Sequence, residues 1–274
     1  MGPVYTQAPV LEVGDETFIL PFHLNLPGIG TLALQPMVVR AREPMVVDTG
    51  VIWFREQWLE SVFALVEPKD VKWIYISHDD RDHTANLLQL MEACPNARVI
   101  TNWVGFGRMG EEFVLPLDKM LFVNHGGTFS LGDRTLTCLR PPLFDSPATR
   151  GFYDGKSDVY YSVDAFGTFL PGYYQYVEEV PAADYDHGFN YWNRVNHPWH
   201  DYVDPNRLHE LVNVEILKLN PKTIVSYHGP VMRNRTEEMI KRIMNTVRMG
   251  PLKEMSQEDL EAMLAGSPPG AHSR

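Results

Sequence analysis

Short apolar runs open the chain and give way to helical spacing further on. Residues 18–20, 32–39 and 45–47 are runs of apolar and β-branched positions, divided by PGIG and AREP, and they predict a β meander. Next, FREQWLESVFALV places apolar residues near helical spacing, KDVKWIYIS reads as a strand, and HTANLLQLMEA is again amphipathic, so the pattern turns to β-α-β-α. Residues 97–101, 134–139 and 159–163 predict further strands, and a long helix is expected from about 205 to 219. KTIVSYHGP repeats the arrangement of a strand followed by histidine. A helix is expected over about 235–249, then a short one after Gly250, and the tail from about 266 to 274 is expected to be disordered. Three predicted strands each end in a residue type that binds metals: His78, Asp164 and His228.

Composition narrows the class. The chain has 274 residues, 44% of them hydrophobic and spread evenly, which suits one large domain over residues 1–274. With no apolar run of about 18 residues and no basic-then-apolar leader, a soluble, cytoplasmic protein is expected. The formal charge of −11, with no clustered Lys or Arg, argues against nucleic-acid and anionic-membrane partners. Cys94 and Cys138 stand apart and read as small buried hydrophobes.

The chemistry concentrates in WIYISHDDRDH, residues 73–83. His78, Asp80 and Asp82 alternate, so an extended loop would turn them to one side, with His83 following as a helix begins. Carboxylates this close repel one another, and a divalent cation removes that conflict.

His78-x-Asp80-x-Asp82-His83 resembles the metal motif of the metallo-β-lactamase fold, and Val46-Val47-Asp48-Thr49-Gly50 resembles its earlier strand-end signature. The second motif position is usually histidine in that superfamily. An acidic residue there, as at Asp80, marks the flavodiiron proteins and their oxygen-binding diiron relatives, which use glutamate. Carboxylate in place of imidazole hardens the site and moves its preference from zinc toward iron or manganese. Ser162-Val163-Asp164-Ala165-Phe166-Gly167 resembles the segment whose aspartate bridges two metals, and Ser226-Tyr227-His228-Gly229-Pro230 the segment with the last histidine. The match runs over roughly residues 15 to 235 and implies an α/β fold, an αββα sandwich of the metallo-β-lactamase type.

The resemblance implies one metal held by Asp82, His83, Asp164 and His228, and another held by His78, Asp80 and Asp164. It also carries a ligand histidine just before an Asp-Ser pair, whereas residues 139–146 here read LRPPLFDS. The second position therefore lacks an imidazole, which leaves two ions, or one tight and one weak, or a mononuclear site in which Arg140 pairs with the carboxylates. His197 and His200 are the replacements to test. His23 and, from the aromatic stretch around residues 173–192, Tyr191 are assigned to the pocket as catalytic candidates. His125, His187, His209 and His272 are read as non-ligands.

The implied function is a non-haem iron protein that binds or reduces O2 or NO with electrons from an external donor protein, since the family's flavodoxin domain has no counterpart in this sequence. Mn or Zn could replace iron, and a homodimer is possible. Two alternatives stay open: a metal-dependent hydrolase of an ester, lactone or phosphoester, and a non-catalytic oxygen or metal sensor.

Overall fold

A computed structural model describes residues 4–26 and 30–265. The expectation for the 266–274 tail, and most of the PGIG turn, lie outside the described residues. Two mixed sheets form the centre. The first has seven strands in the order Met120–Phe122, Arg98–Thr101, Trp73–Tyr75, Met45–Val47, Met37–Val39, Thr17–Ile19, Leu11–Gly14. The second has six, in the order Thr128–Ser130, Thr135–Leu139, Gly151–Asp154, Val159–Tyr161, Thr223–Val225, Met232–Arg233. Val38, Val46 and Tyr75 from the first sheet and Leu136, Phe152, Tyr161 and Val225 from the second form one buried cluster, so the sheets face each other across the main core. Tyr75 meets Phe152 edge-on across this layer, with ring centroids 5.3 Å apart.

Helices cover the outer faces, which completes the αββα sandwich expected from the sequence. Arg55–Leu65 buries Trp58 and Val62, and Leu87–Ala93 buries Leu87 and Leu90, within the first core cluster. The six-stranded sheet packs its other face against Ala182–Val195 and Thr236–Val247, through Tyr185, Phe189, Met239, Ile240 and Ile243.

Three local departures from the expected elements have physical reasons. The predicted strand over 32–39 is two strands in two sheets. Gly30–Leu34 joins a small four-stranded antiparallel sheet with Val4–Gln7, Phe22–Leu26 and Phe169–Leu170, while Met37–Val39 joins the seven-stranded one. The break falls at Gln35-Pro36, where proline has no N–H to give to a ladder. The 83–93 helix is interrupted at Asn86, whose side-chain amide bonds the carbonyls of Thr49 (2.6 Å) and Val51 (3.0 Å). Ala182–Val195, a stretch read only as aromatic-rich, is a helix whose apolar stripe is Tyr185, Phe189 and Trp192. Gly188 lets this helix lie against the Phe169 backbone, where a Cβ would overlap the carbonyl oxygen.

Cys94 and Cys138 are buried and unpaired. Among the described residues, no helix is long and apolar enough to cross a membrane.

Candidate metal centre

The site lies at the carboxyl ends of two parallel strand pairs, one in each sheet. Met45–Val47 runs parallel to Trp73–Tyr75, and Val159–Tyr161 parallel to Thr223–Val225. Asp48, His78, Asp164 and His228 follow these strands, and chain ends aligned in this way leave a crevice where loops converge. The backbone is strained there: Asp48 and Val163 both adopt positive φ, 52° and 56°. For the β-branched Val163 this is a rare conformation, held by its carbonyl accepting from Tyr227 N (2.7 Å) and Ser226 Oγ (3.2 Å).

Two groups of ligand-type atoms meet around Asp164. In the first, His228 Nε2 lies 3.2 Å from Asp82 Oδ2 and 3.5 Å from Asp164 Oδ1, and His83 Nε2 lies 3.6 Å and 3.2 Å from the same two oxygens. In the second, His78 Nε2 lies 3.7 Å from Asp80 Oδ2 and 3.5 Å from Asp145 Oδ2. Ligand atoms of His78, His83 and Asp164 also fall within 4.8 Å of one another, so Asp164 touches both groups.

The other imidazole nitrogens are already engaged. His83 Nδ1 lies 2.9 Å from Asp48 Oδ2, His228 Nδ1 2.9 Å from the Ala33 carbonyl, and His78 Nδ1 3.1 Å from Ser77 Oγ. Asp48 in turn is buried and accepts from Ser77 N, Ser77 Oγ and Tyr161 OH. These anchors orient the rings, whereas His78 Nε2, His83 Nε2 and Asp164 Oδ1 are buried with no hydrogen-bond partner among the described residues. Buried polar atoms in folded proteins are rarely left so, and unpartnered nitrogens facing carboxylate oxygens fit a divalent cation.

The electrostatics fit too. Burial disfavours charge on His83 and His228, but Asp82 and Asp164 outweigh it and push these imidazoles up to about 10 and about 9. His78, buried beside Asp145, Asp80 and Asp164, is likewise raised. Burial raises Asp82, yet the two histidines hold it down at about 2, and Asp164 lies well below the carboxylate range for the same reason. Without a cation, protons fill its place. In that state the imidazolium contribution to stability is fully present below about pH 6.5 and is lost as pH rises through 9 and 10. Metal competes with those protons, so affinity should rise with pH across the neutral range. At pH 7 the first position should release about two protons per ion, a number that calorimetric titration in buffers of different ionisation enthalpy reads directly.

Two acidic residues outside the ligand groups, Asp79 and Asp48, help set the geometry. Asp79 is held by Arg108 Nε (2.5 Å) and accepts from Ser146 Oγ (2.7 Å), which ties the 78–83 loop to the loop carrying Asp145. Asp145 Oδ1 accepts from Ser146 N (2.8 Å) and Thr149 Oγ1 (3.1 Å), so its Oδ2 is the atom directed at His78. For Asp48→Asn we expect metal affinity at the His83 position to fall about 10–100-fold, since the amide loses the charge that orients His83. Competition against a chromophoric chelator would measure it, and an unchanged affinity would show that Asp48 serves the core alone.

The structure gathers His78, Asp80, Asp82, His83, Asp164 and His228, the six residues read from the sequence as ligands. It adds Asp145, which the sequence reading passed over while looking for a histidine in the same stretch. Arg140 does not pair with the carboxylates. Its guanidinium lies over the Phe144 ring, 4.7 Å from the centroid, and its backbone N–H bonds His125 Nδ1. His197 and His200 are buried, with His200 Nε2 3.3 Å from Asp201 Oδ1, and among the described residues neither joins a ligand group; their Nδ1 atoms face the carbonyls of Asn193 and His197. His23 stacks on Tyr173 (5.0 Å), and Tyr173 lines a small crevice with His228.

Tyr191 packs near Phe169 and His187. Its neighbour Trp192 is the aromatic residue that reaches the centre: Nε1 donates to the Asp164 carbonyl (2.9 Å) and the ring lies 4.6 Å from His228. A side chain at Gly167 would overlap that indole. Asn196 Nδ2 donates to Asp164 Oδ2 (3.1 Å), which leaves Oδ1 for the centre. Tyr185, Phe189 and Trp192 recur on one helical face, the signal that could have placed this helix in the sequence.

Comparison with known proteins agrees with this fold. Among solved structures, rubredoxin:oxygen oxidoreductase from Desulfovibrio gigas superposes with a TM-score of 0.75 at 19% identity, covering 89% of this chain and 63% of that one. The flavodiiron protein from Giardia intestinalis gives 0.75 at 17%, over 88% and 60%. In sequence, a nitric oxide reductase from Moorella thermoacetica is 23% identical over 71% of this chain and 48% of its own length. A putative diflavin flavoprotein from Nostoc is 26% identical over 76% and 35%. The chain thus spans about half or less of the curated relatives it matches. A family model described as ODP family beta lactamase matches residues 33–229, and the chain belongs to that family.

Proposed function

We propose that this protein holds two iron ions, bridged by Asp164, and binds or reduces O2 or NO with electrons from a separate donor protein. One observation carries the reading: two ligand groups, Asp82-His83-His228 and His78-Asp80-Asp145, converge on one buried carboxylate whose Oδ1 has no other partner. The first position offers two imidazoles and the second one imidazole among carboxylates, a set hard enough to favour iron or manganese over zinc. The flavodiiron protein, nitric oxide reductase and rubredoxin:oxygen oxidoreductase among the similar proteins support this choice over hydrolysis.

Bound ferrous iron would supply the electrons and an inner-sphere position for the diatomic ligand. The chain's own part is to fix ligand directions and keep the ions close. Asp48, Ser77 and the Ala33 carbonyl hold the three imidazoles by Nδ1, so each presents Nε2 inward. Gln35, which donates to the carbonyls of Ser226 (3.0 Å) and Gly229, locks the His228 loop to the first sheet. Trp192 packs on His228 and closes that side with apolar surface.

The test is anaerobic loading with ferrous iron, elemental analysis, and then O2 and NO uptake with a chemically reduced donor. We expect close to two irons per chain and sustained uptake. A long-lived coloured adduct without consumption would make the protein a sensor. Rapid turnover of esters, lactones or phosphoesters without reductant would make it a hydrolase.

A further inference from the structure

We propose that the cleft between residues 140–144 and the helix beginning at Pro205 binds a small monocarboxylate with an apolar body. We further propose that its occupancy is coupled to the second metal position through Phe144 and Asp145. The cleft has a volume of about 260 Å³, and Pro141, Pro142, Phe144, Leu208 and Ile216 make most of its wall. That is room for a ring or a short alkyl chain, and burying such a group against apolar walls is favourable at about 25 cal/mol per Å².

Arg140 supplies the charge. Among the described residues its guanidinium has no carboxylate partner; it rests on the Phe144 face. Glu215, the acidic residue of the cleft, is engaged by His125 Nε2 at 2.7 Å. Near Arg140 is a second guanidinium, that of Arg150, which is largely buried and, among the described residues, hydrogen-bonds the carbonyls of Pro147 and Thr149. The two arginines are close enough for Arg140 to disfavour charge on Arg150. In a chain with a formal charge of −11, a guanidinium on the cleft wall that has no carboxylate partner among the described residues makes a position that an anion would stabilise. The apolar wall selects a carboxylate with a hydrophobic body over an inorganic anion.

The cleft also adjoins the metal loop. Phe144 packs at a tilt against Trp199 (4.8 Å between ring centroids) and its carbonyl accepts from Trp199 Nε1, and the next residue, Asp145, faces His78. A ligand packed on Phe144 would hold Asp145 in place and tighten the second metal. By linkage, metal would tighten the ligand by the same factor, about fivefold or more. This coupling rests on the metal reading of Asp145, whereas binding in the cleft does not.

Two measurements separate them. Calorimetric titration of the metal-free full chain with sodium benzoate should give saturable binding. The affinity should be at least about tenfold above that for acetate or inorganic phosphate, and about tenfold or more weaker in Arg140→Gln. Benzoate should also protect Arg140 from an arginine-selective dicarbonyl reagent in the unaltered protein, read by mass spectrometry, which needs no variant. Absent benzoate binding, equal affinity for acetate or phosphate, or unchanged modification of Arg140 would overturn the site. Metal titration with and without saturating benzoate then tests the coupling, and identical second-ion affinities would overturn that half alone.

Discussion

Asp164→Ala is expected to leave the protein unable to retain metal at either position, with affinity reduced more than about 100-fold at both. No other carboxylate substitution should act so broadly, because among the described carboxylates Asp164 is the one that lies against His78, His83 and His228. The loss goes beyond one ligand atom. Asp164 is also the main reason that the His228 pKa is raised, and for His83 it adds to the larger effects of Asp82 and Asp48, so its removal leaves three adjacent imidazoles with less negative charge among them. Elemental analysis after gel filtration, with circular dichroism to check the fold, gives the answer. Retention of one ion at unchanged affinity would mean that Asp164 serves one position and bridges nothing.

The second large effect is an inequality between the two positions. Asp82, His83 and His228 bring two imidazoles to the first, together with Asp164, whereas His78, Asp80 and Asp145 bring one to the second. Asp80 is half exposed, so water competes for it. His228→Ala should therefore strip the tightly held ion, while His78→Ala should leave close to one metal per chain and alter mainly reactivity. Chelator titration separates the two steps. Asp145→His offers the converse check: a second imidazole at that position should bring the two affinities together and raise the number of ions that survive gel filtration toward two. If His78→Ala removes all metal and His228→Ala does not, the tight and weak positions are reversed.

Legibility in the sequence followed distance along the chain. Residues 78–83 could be read because five ligand-type residues lie within six consecutive positions, although the helical turn Arg81–Thr84 carries Asp82 to a different group from His78 and Asp80 instead of the one side an extended loop would give. Asp164 and His228 could be read because each follows a short apolar strand, a local pattern that names the residue without knowing the fold. The αββα class was legible through the resemblance of these motifs to the metallo-β-lactamase fold, whereas the β meander followed by β-α-β-α gave by itself only a mixed α/β order of elements.

Asp145 had no such signal. It sits in a proline-rich loop without periodicity, and it reaches His78 because Ser146 bonds Asp79 of the 78–83 loop and Thr149 turns its other oxygen away. Trp192 and Asn196 depend likewise on a helix that lies over the second sheet, with Gly188 and Gly167 admitting the close approach. The break at Gln35-Pro36 looked like a continuous strand, because an apolar run does not show which of two sheets each half will join. The sequence by itself determined the ligand types, the sheet edge on which they gather and the hardness of the site. The tertiary structure alone decided which carboxylate fills the second position, because that depends on loops far apart in the chain meeting through hydrogen bonds that no local pattern encodes.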